Sequence, residues 1–267
     1  MSGETAPYET VRRDGVIRIC RPGTEWLSTG WNGGRHNESC AYNLSVPKGW
    51  TCDSIDEYVR ERLGRAGFEP GGPALLTGVD LSHARCARCG SVTAVATAGV
   101  SNPAALPMDP EGGEFPDGRN AADSGTSSDE PETGAGTVNL ILGTTVRLEP
   151  GALANLVAIT AEAKTTTLLA ETGFPGTTTD AIVVGHDPTG QTASFSGSAT
   201  PVGAAARACV REALRASIQS RYADGEATIP DSVADAEYGV STDVRATVFR
   251  PTVVSESDES TESASGV

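Results

Sequence analysis

The chain has 267 residues, with 20 basic against 35 acidic side chains, a formal charge of −15 at pH 7 and 38% hydrophobic content. That length supports one sizeable core, since single cores stop growing at roughly 250 to 300 residues, and the lack of any basic stripe that could release counterions from phosphate disfavours a nucleic-acid partner. No run reaches the ~20 apolar residues of a membrane-spanning helix, and MSGETAPYETVRRDG lacks the apolar stretch of a secretion signal, so a cytoplasmic protein without a membrane partner is expected.

The elements follow from the apolar pattern. Residues 1–14 read as a polar tail. Short runs rich in Val, Ile, Leu and Thr predict strands at 16–21, 41–46, 74–79, 92–98, 137–146, 181–184 and 244–249. A helix is expected to start at Ser54, where Ser54 and Glu57 form an S-x-x-E capping box ahead of Tyr58, Val59 and Leu63. A second should follow Glu149 and Pro150, proline suiting a first helical turn, and stop near Gly173. A third should run from about Ala204 to Tyr222 through Val210, Leu214 and Ile218. Between strands, residues 107–136 are rich in Pro, Gly, Asp and Ser and predict a long disordered surface loop. The acidic, Ser-rich residues 251–267 predict a disordered tail. The sum is an α/β or α+β fold: a single domain over 15–250, a layered sandwich with a mixed β-sheet and about three main helices.

Lys48 and Lys164 are the two lysines, so nearly all positive charge is arginine. An acidic, lysine-poor surface suits a protein of molar salt, where the Debye length falls to about 3 Å and self-repulsion is screened. We therefore read the acidity as adaptation to a salt-loving cell. The six cysteines are too dispersed for a small secreted scaffold and read as thiols. His83, Cys86 and Cys89 have the spacing of half a zinc site, but no second CxxC completes it, and no metal is expected.

Strand-flanking patches of Gly, Thr, Ser and Asn carry the chemistry: LSTGWNGG at 27–34, LLTGVDLS at 75–82, ATAGVSNP at 96–103, GTVNL at 136–140 and GFPGTTTD at 173–180. Glycine lets backbone amides approach a ligand, and short uncharged side chains supply donors and acceptors. There is no phosphate loop and no G-x-S-x-G elbow. Lys164 lies in a helix predicted to be largely buried, where a lysine can act as a base or orient a carbonyl. Glu162, two residues earlier, points about 200° away around the helix.

Taken in order, LSTGWNGG, the strand carrying Asn43, LLTGVDLS, VTAVATAGVSNP, GTVNLIL, AEAKTTTL and GTTTDAIVV resemble the adenosylcobinamide amidohydrolase family of archaeal corrinoid salvage. The resemblance covers about residues 15–222, apart from the 107–136 loop, and leaves the residues from Ala223 onward without a counterpart. It implies hydrolysis of the amide joining aminopropanol to the corrin ring, giving adenosylcobyric acid. The corrinoid is then a small-molecule substrate, and no cofactor is expected. Positions matching the family motifs are Ser28, Gly33, Gly34, Asn43, Thr77, Asp80, Gly99, Ser101, Thr137, Gly176 and Thr179 as substrate-binding candidates. Asn102, Asn139, Glu162, Lys164 and Asp180 are the catalytic candidates. Our expectation gives the oxyanion to Asn102 or Asn139 with the backbone amides of Gly99 or Gly136. Asp180 or Glu162 would be the base for water, or for Ser101 or Thr179 on a covalent route. The alternative is a non-catalytic module that binds a corrinoid or another small ligand.

Overall fold

The computed structural model describes residues 7–47, 49–115, 136–225 and 227–251. In chain order the first half contains β1 (Glu9–Arg13), β2 (Val16–Cys20), β3 (Glu25–Ser28), β4 (Gly34–Asn37), β5 (Cys40–Ser45), α1 (Ile55–Arg65), β6 (Ala74–Thr77), β7 (Arg85–Cys89), β8 (Val92–Ala98) and β9 (Pro103–Ala105). The second half contains β10 (Val138–Thr144), β11 (Arg147–Leu148), α2 (Pro150–Thr172), β12 (Gly176–Thr177), β13 (Ala181–His186), β14 (Thr192–Ala193), α3 (Pro201–Tyr222) and β15 (Val240–Ser241).

Two main sheets stack between helices. One has the order β1-β2-β5-β6 and the other β4-β3-β13-β10-β8-β7. Both are mixed, with β5 parallel to β6 and β10 parallel to β13 while their other pairs are antiparallel. Ile17, Ile19, Ala41 and Leu75 of the smaller sheet meet Trp26, Val95, Ile141 and Val183 of the larger one. The opposite face of the larger sheet, through Ala94, Ala96, Leu140, Leu142 and Val184, packs on Leu153, Leu156, Val210 and Leu214 of α2 and α3. Val16, Tyr42 and Leu44 on the far side of the smaller sheet pack on Leu63 of α1. The layers thus run helix, sheet, sheet, two helices, which is the expected mixed sandwich with three helices resolved into four layers.

The helix signals act where they were read. Ser54 accepts the Glu57 N–H as the N-cap of α1, and α2 carries Pro150 in its first turn and ends on Gly173 at φ 80°. Thr200 caps α3, which begins at Pro201, three residues before the expected start. No helix among the described residues is long and apolar enough to cross a membrane.

The ends differ from expectation. Residues 9–13, read as part of a polar tail, form β1 and pair along their whole length with β2. Only Val11 is apolar in that strand, as suits an exposed sheet edge, so periodicity gave no signal. Tyr8 just before it is 1% exposed, stacks edge-on to Trp26 at 5.8 Å, and donates to the Thr144 carbonyl. At the other end, residues 244–249 form no strand: Val248 and Phe249 are exposed, and an isolated run has no ladder to join. Residues 116–135 of the expected loop and 252–267 of the expected tail lie outside the described residues.

The cysteines also need a correction. Cys20 and Cys40 face each other across the β2–β5 pair and form a disulfide, with Cα atoms 4.2 Å apart. Strand pairing places them together although 20 residues separate them, which linear spacing does not reveal. Cys52, Cys86, Cys89 and Cys209 are free thiols. Cys86 and Cys89 stand three apart on β7, so a strand points them to opposite faces, and His83 Nδ1 lies 3.1 Å from Ser220 Oγ.

Candidate active site

The polar patches converge because of the sheet topology. β10 and β13 are parallel and start at the same end of the larger sheet, while β8 and β3 run against them and finish there. The turns at 28–30, 99–102, 136–137 and 176–180 therefore share one edge. Close backbone approach holds them together. A Cβ on Gly136 would lie 2.3 Å from the Gly99 carbonyl and 2.7 Å from Ser101 N, so only glycine lets these two turns touch.

At the centre, Lys164 of α2 reaches Asp180 just ahead of β13. Lys164 Nζ donates to Asp180 Oδ2, and both side chains are 11% exposed. Thr177 N–H also donates to Oδ2 at 3.1 Å, while Oδ1 accepts Val138 N–H at 3.1 Å and the Thr177 hydroxyl at 2.5 Å. Four donors thus fill the carboxylate. An ammonium has three hydrogens, so two remain on Lys164 after Asp180 is served. Gly176 leaves room for the pair, since a Cβ there would stand 2.8 Å from Asp180 Oδ2 and 3.2 Å from Lys164 Nζ.

Around the pair lie uncharged groups. Thr137 and Thr179 hydroxyls are 3.1 Å apart. Ser101 Oγ accepts the Gly136 N–H at 2.5 Å and keeps its own proton to donate. Asn102 Nδ2 donates to Thr178 Oγ1 at 2.5 Å, and Thr178 N–H returns to the Asn102 carbonyl at 3.2 Å. Asn102 is 2% exposed, and its Oδ1 has no partner among the described residues.

Asn43 and Asn139 belong to a different place, the seam between the two sheets. Asn139 Nδ2 donates to the Leu76 carbonyl at 2.8 Å and to Asn43 Oδ1 at 3.0 Å, and Asn43 Nδ2 donates to Thr97 Oγ1 at 2.9 Å. The Leu76 carbonyl can only accept, so it fixes which way both amides point. Both hydrogens of Asn139 Nδ2 are therefore used, and the atom without a partner among the described residues is its acceptor Oδ1. This overturns the expectation that Asn139 donates to an oxyanion. The backbone amides of Gly99 and Gly136 are likewise taken, by the Thr137 carbonyl and Ser101 Oγ.

Glu162 requires a second correction. Its side chain is 60% exposed and pairs with Arg207 Nη1 at 3.0 Å, on the outer face of α2 and away from Lys164. The 200° offset between the two positions prevails, and Glu162 is not part of the site. Asp180, its oxygens filled, is an anchor for Lys164 and for the 176–180 turn, not a free base. Asp80 is an exposed N-cap: its Oδ1 accepts Ser82 N–H at 2.7 Å, and the Ser82 hydrogen bonds lower its pKa.

The remaining candidates shape the turns. Ser28 Oγ accepts Gly30 N–H and Thr77 Oγ1 accepts Val79 N–H, each at 3.1 Å. Gly33 packs so closely that a Cβ would lie 2.7 Å from the Ser28 carbonyl, and Gly34 pairs with Ser28 at the sheet edge. Thr177, Thr178 and Thr97 were not among the candidates, although Thr177 belongs to the Gly-Thr-x-x-Asp run that ends on Asp180; a threonine within the apolar run of β8 was a usable signal for Thr97.

Comparison with known proteins agrees with the motifs. The family model for adenosylcobinamide amidohydrolase matches residues 2–226. An adenosylcobinamide amidohydrolase of Halobacterium salinarum is 56% identical over 246 residues, covering 91% of this chain and 100% of that protein. One of Methanosarcina mazei is 30% identical over 208 residues, covering 74% of this chain and 91% of that protein. The match extends through every turn that builds the polar edge, and the chain belongs to the adenosylcobinamide amidohydrolase family, hydrolases that act on an amide.

Proposed function

We propose that the protein hydrolyses the amide joining aminopropanol to the corrin ring of adenosylcobinamide, giving adenosylcobyric acid for corrinoid salvage in the cytoplasm. The corrinoid is the substrate, and no resident cofactor takes part. The observation that carries the reading is the Lys164–Asp180 pair, set among uncharged hydroxyls at the edge where the family's motifs meet.

Amide hydrolysis adds water. The C–N bond breaks, the acyl carbon takes the hydroxyl, one water proton passes to the leaving amine, and the new carboxyl group gives up its own proton to that amine, leaving a carboxylate and an ammonium. Negative charge gathers on the carbonyl oxygen on the way, and a preplaced donor there contributes about 3 to 4 kcal/mol. Lys164 fits this task better than any asparagine, with two ammonium hydrogens to spare in a site largely shielded from water. Asp180 is a positioning residue that aims it. Asn102 Oδ1 and the Ser101 and Thr179 hydroxyls suit the substrate amide and the attacking water.

The test is incubation of the purified protein in molar potassium chloride with adenosylcobinamide, following aminopropanol by mass spectrometry. Release that is lost in a folded Lys164→Met variant supports the reading. Tight binding without release favours the binding module instead, and a folded protein that does neither overturns both.

A further inference from the structure

Beside Ser101 lies a cleft of about 750 Å³, and Ser101 is the one residue of the site described above that lines it. Ser101 and Arg221 line one side, and the other is built from residues 228–238, including Thr228, Asp231, Asp235 and Tyr238. These last residues lie past the end of the family match at 226. We propose that residues 228–238 form the outer wall of the substrate cleft and determine which corrinoids bind, by contacting the carboxamide-bearing rim of the ring. The proposal rests on the amidohydrolase reading and concerns binding only.

The fold ties this wall to the site. Tyr222, at the end of α3, accepts the Val100 N–H at 2.8 Å through its hydroxyl, fixing the point where the segment departs to the turn that carries Ser101. The chain then makes a short 3-10 turn at Val233–Asp235 and returns as β15, which pairs with β9. β9 begins directly after Asn102, and its other neighbour is β12, which holds Thr177 of the Asp180 cradle. One small sheet, β12-β9-β15, therefore joins the Lys164–Asp180 centre to the outer wall. Thr242 N–H donates to the Ala105 carbonyl at 3.0 Å and extends the pairing.

The lining suits a particular chemistry. It offers a guanidinium from Arg221, carboxylates from Asp231, Asp235 and Glu237, a hydroxyl from Ser101, and apolar surface from Ile229. Primary carboxamides carry both N–H donors for carboxylates and carbonyls for a guanidinium, around a ring body that takes the apolar contacts. The volume falls within the roughly 300–1,000 Å³ of small-molecule sites. In molar salt, with a Debye length of about 3 Å, these charges act by contact and not by steering.

The experiment measures kcat and KM for adenosylcobinamide in molar potassium chloride, and its equilibrium binding by the corrin absorbance, for the full chain and for Asp231→Ala, Arg221→Ala and the double variant. A charge-assisted hydrogen bond predicts KM and Kd raised about tenfold or more by each change, with kcat within about twofold. Unchanged KM and Kd in all three folded variants would overturn the wall, as would a loss of kcat at unchanged KM. If the full chain binds without turnover, weaker binding by the variants still supports the wall while the amidohydrolase reading fails. If it does not bind, both fall.

Discussion

The Lys164–Asp180 pair makes the sharpest prediction, because its two halves are not equivalent. All four groups facing the Asp180 carboxylate are donors: Val138 N–H, Thr177 N–H, the Thr177 hydroxyl and the Lys164 ammonium. Asp180→Asn replaces one acceptor with a fifth donor and leaves a lysine 11% exposed without its counter-charge. Removing one partner of a buried pair costs about 3–5 kcal/mol, and the residual exposure places this case near 3. Lys164→Met removes the charge but leaves the carboxylate three donors, so its cost is about 1–2 kcal/mol. In the double variant no ammonium is stranded, and the loss should fall short of the sum by at least about 1 kcal/mol. Urea unfolding in molar potassium chloride gives all three values, urea being uncharged and leaving the salt constant. Both single variants should also lose turnover by a hundredfold or more, roughly the 3 to 4 kcal/mol of one oxyanion donor. Additivity within about 0.5 kcal/mol, or a Lys164→Met enzyme of ordinary rate, would refute the arrangement.

Other predictions follow from named contacts. Glu162→Ala should leave turnover within about twofold and stability within about 0.5 kcal/mol, because its pair with Arg207 is solvent-exposed; a large rate loss would return Glu162 to the site. Gly136→Ala should cost about 1–3 kcal/mol in unfolding free energy, since its Cβ meets the Gly99 backbone and not a side chain that can swing away. Burial pushes the His186 pKa below its ordinary 6.5, outweighing Glu25, which acts the other way; its Nδ1 accepts the Leu148 N–H at 2.9 Å. The unfolded chain then takes up a proton first, so the stability His186 provides is present above 6.5 and declines as pH falls below it. Thermal unfolding of His186→Asn should lack that decline, and parallel curves would contradict the assignment. Thiol titration of the denatured protein should find the four free cysteines before reduction and all six after it; six at once would remove the disulfide.

Where the sequence was legible, the reason was local. α1, α2 and α3 announce themselves by capping or proline signals next to apolar faces, and those signals act within a few residues. β8 and β10, buried on both sides, read as apolar runs for the same reason. β1, β3, β4 and β7 escaped because edge or short strands carry few apolar residues: β1, β4 and β7 each sit at a sheet edge beside a single chain neighbour, and only β3 also pairs with a strand distant in the chain. The site divides along the same line. The strand-end patches and the family motifs singled out Asp180, Ser101 and Asn102, and its rarity in the chain singled out Lys164 within α2. They could not be told from Asn43 and Asn139, which have the same local look but lie in the seam between sheets, since only the stacking of the sheets decides which asparagine ends up in that seam. The Cys20–Cys40 disulfide was hidden likewise, because the β2–β5 register alone brings the two together.

The acidic composition and an active edge whose ion pair is buried fit one physical condition. In molar salt a chain of charge −15 gains little from fields reaching beyond about 3 Å, so neither substrate capture nor catalysis can depend on them there. Charge is effective there only when buried or in contact, and Lys164 meets that condition: one of two lysines in the chain, paired within the fold and largely closed to ions. Replacing surface arginines or acids should therefore change solubility and salt tolerance while leaving kcat untouched. The rate should instead stay nearly constant with potassium chloride across the range in which the protein remains folded. A rate that fell steeply within that folded range would mean that the decisive charge lies in solvent, and would refute the role proposed for Lys164.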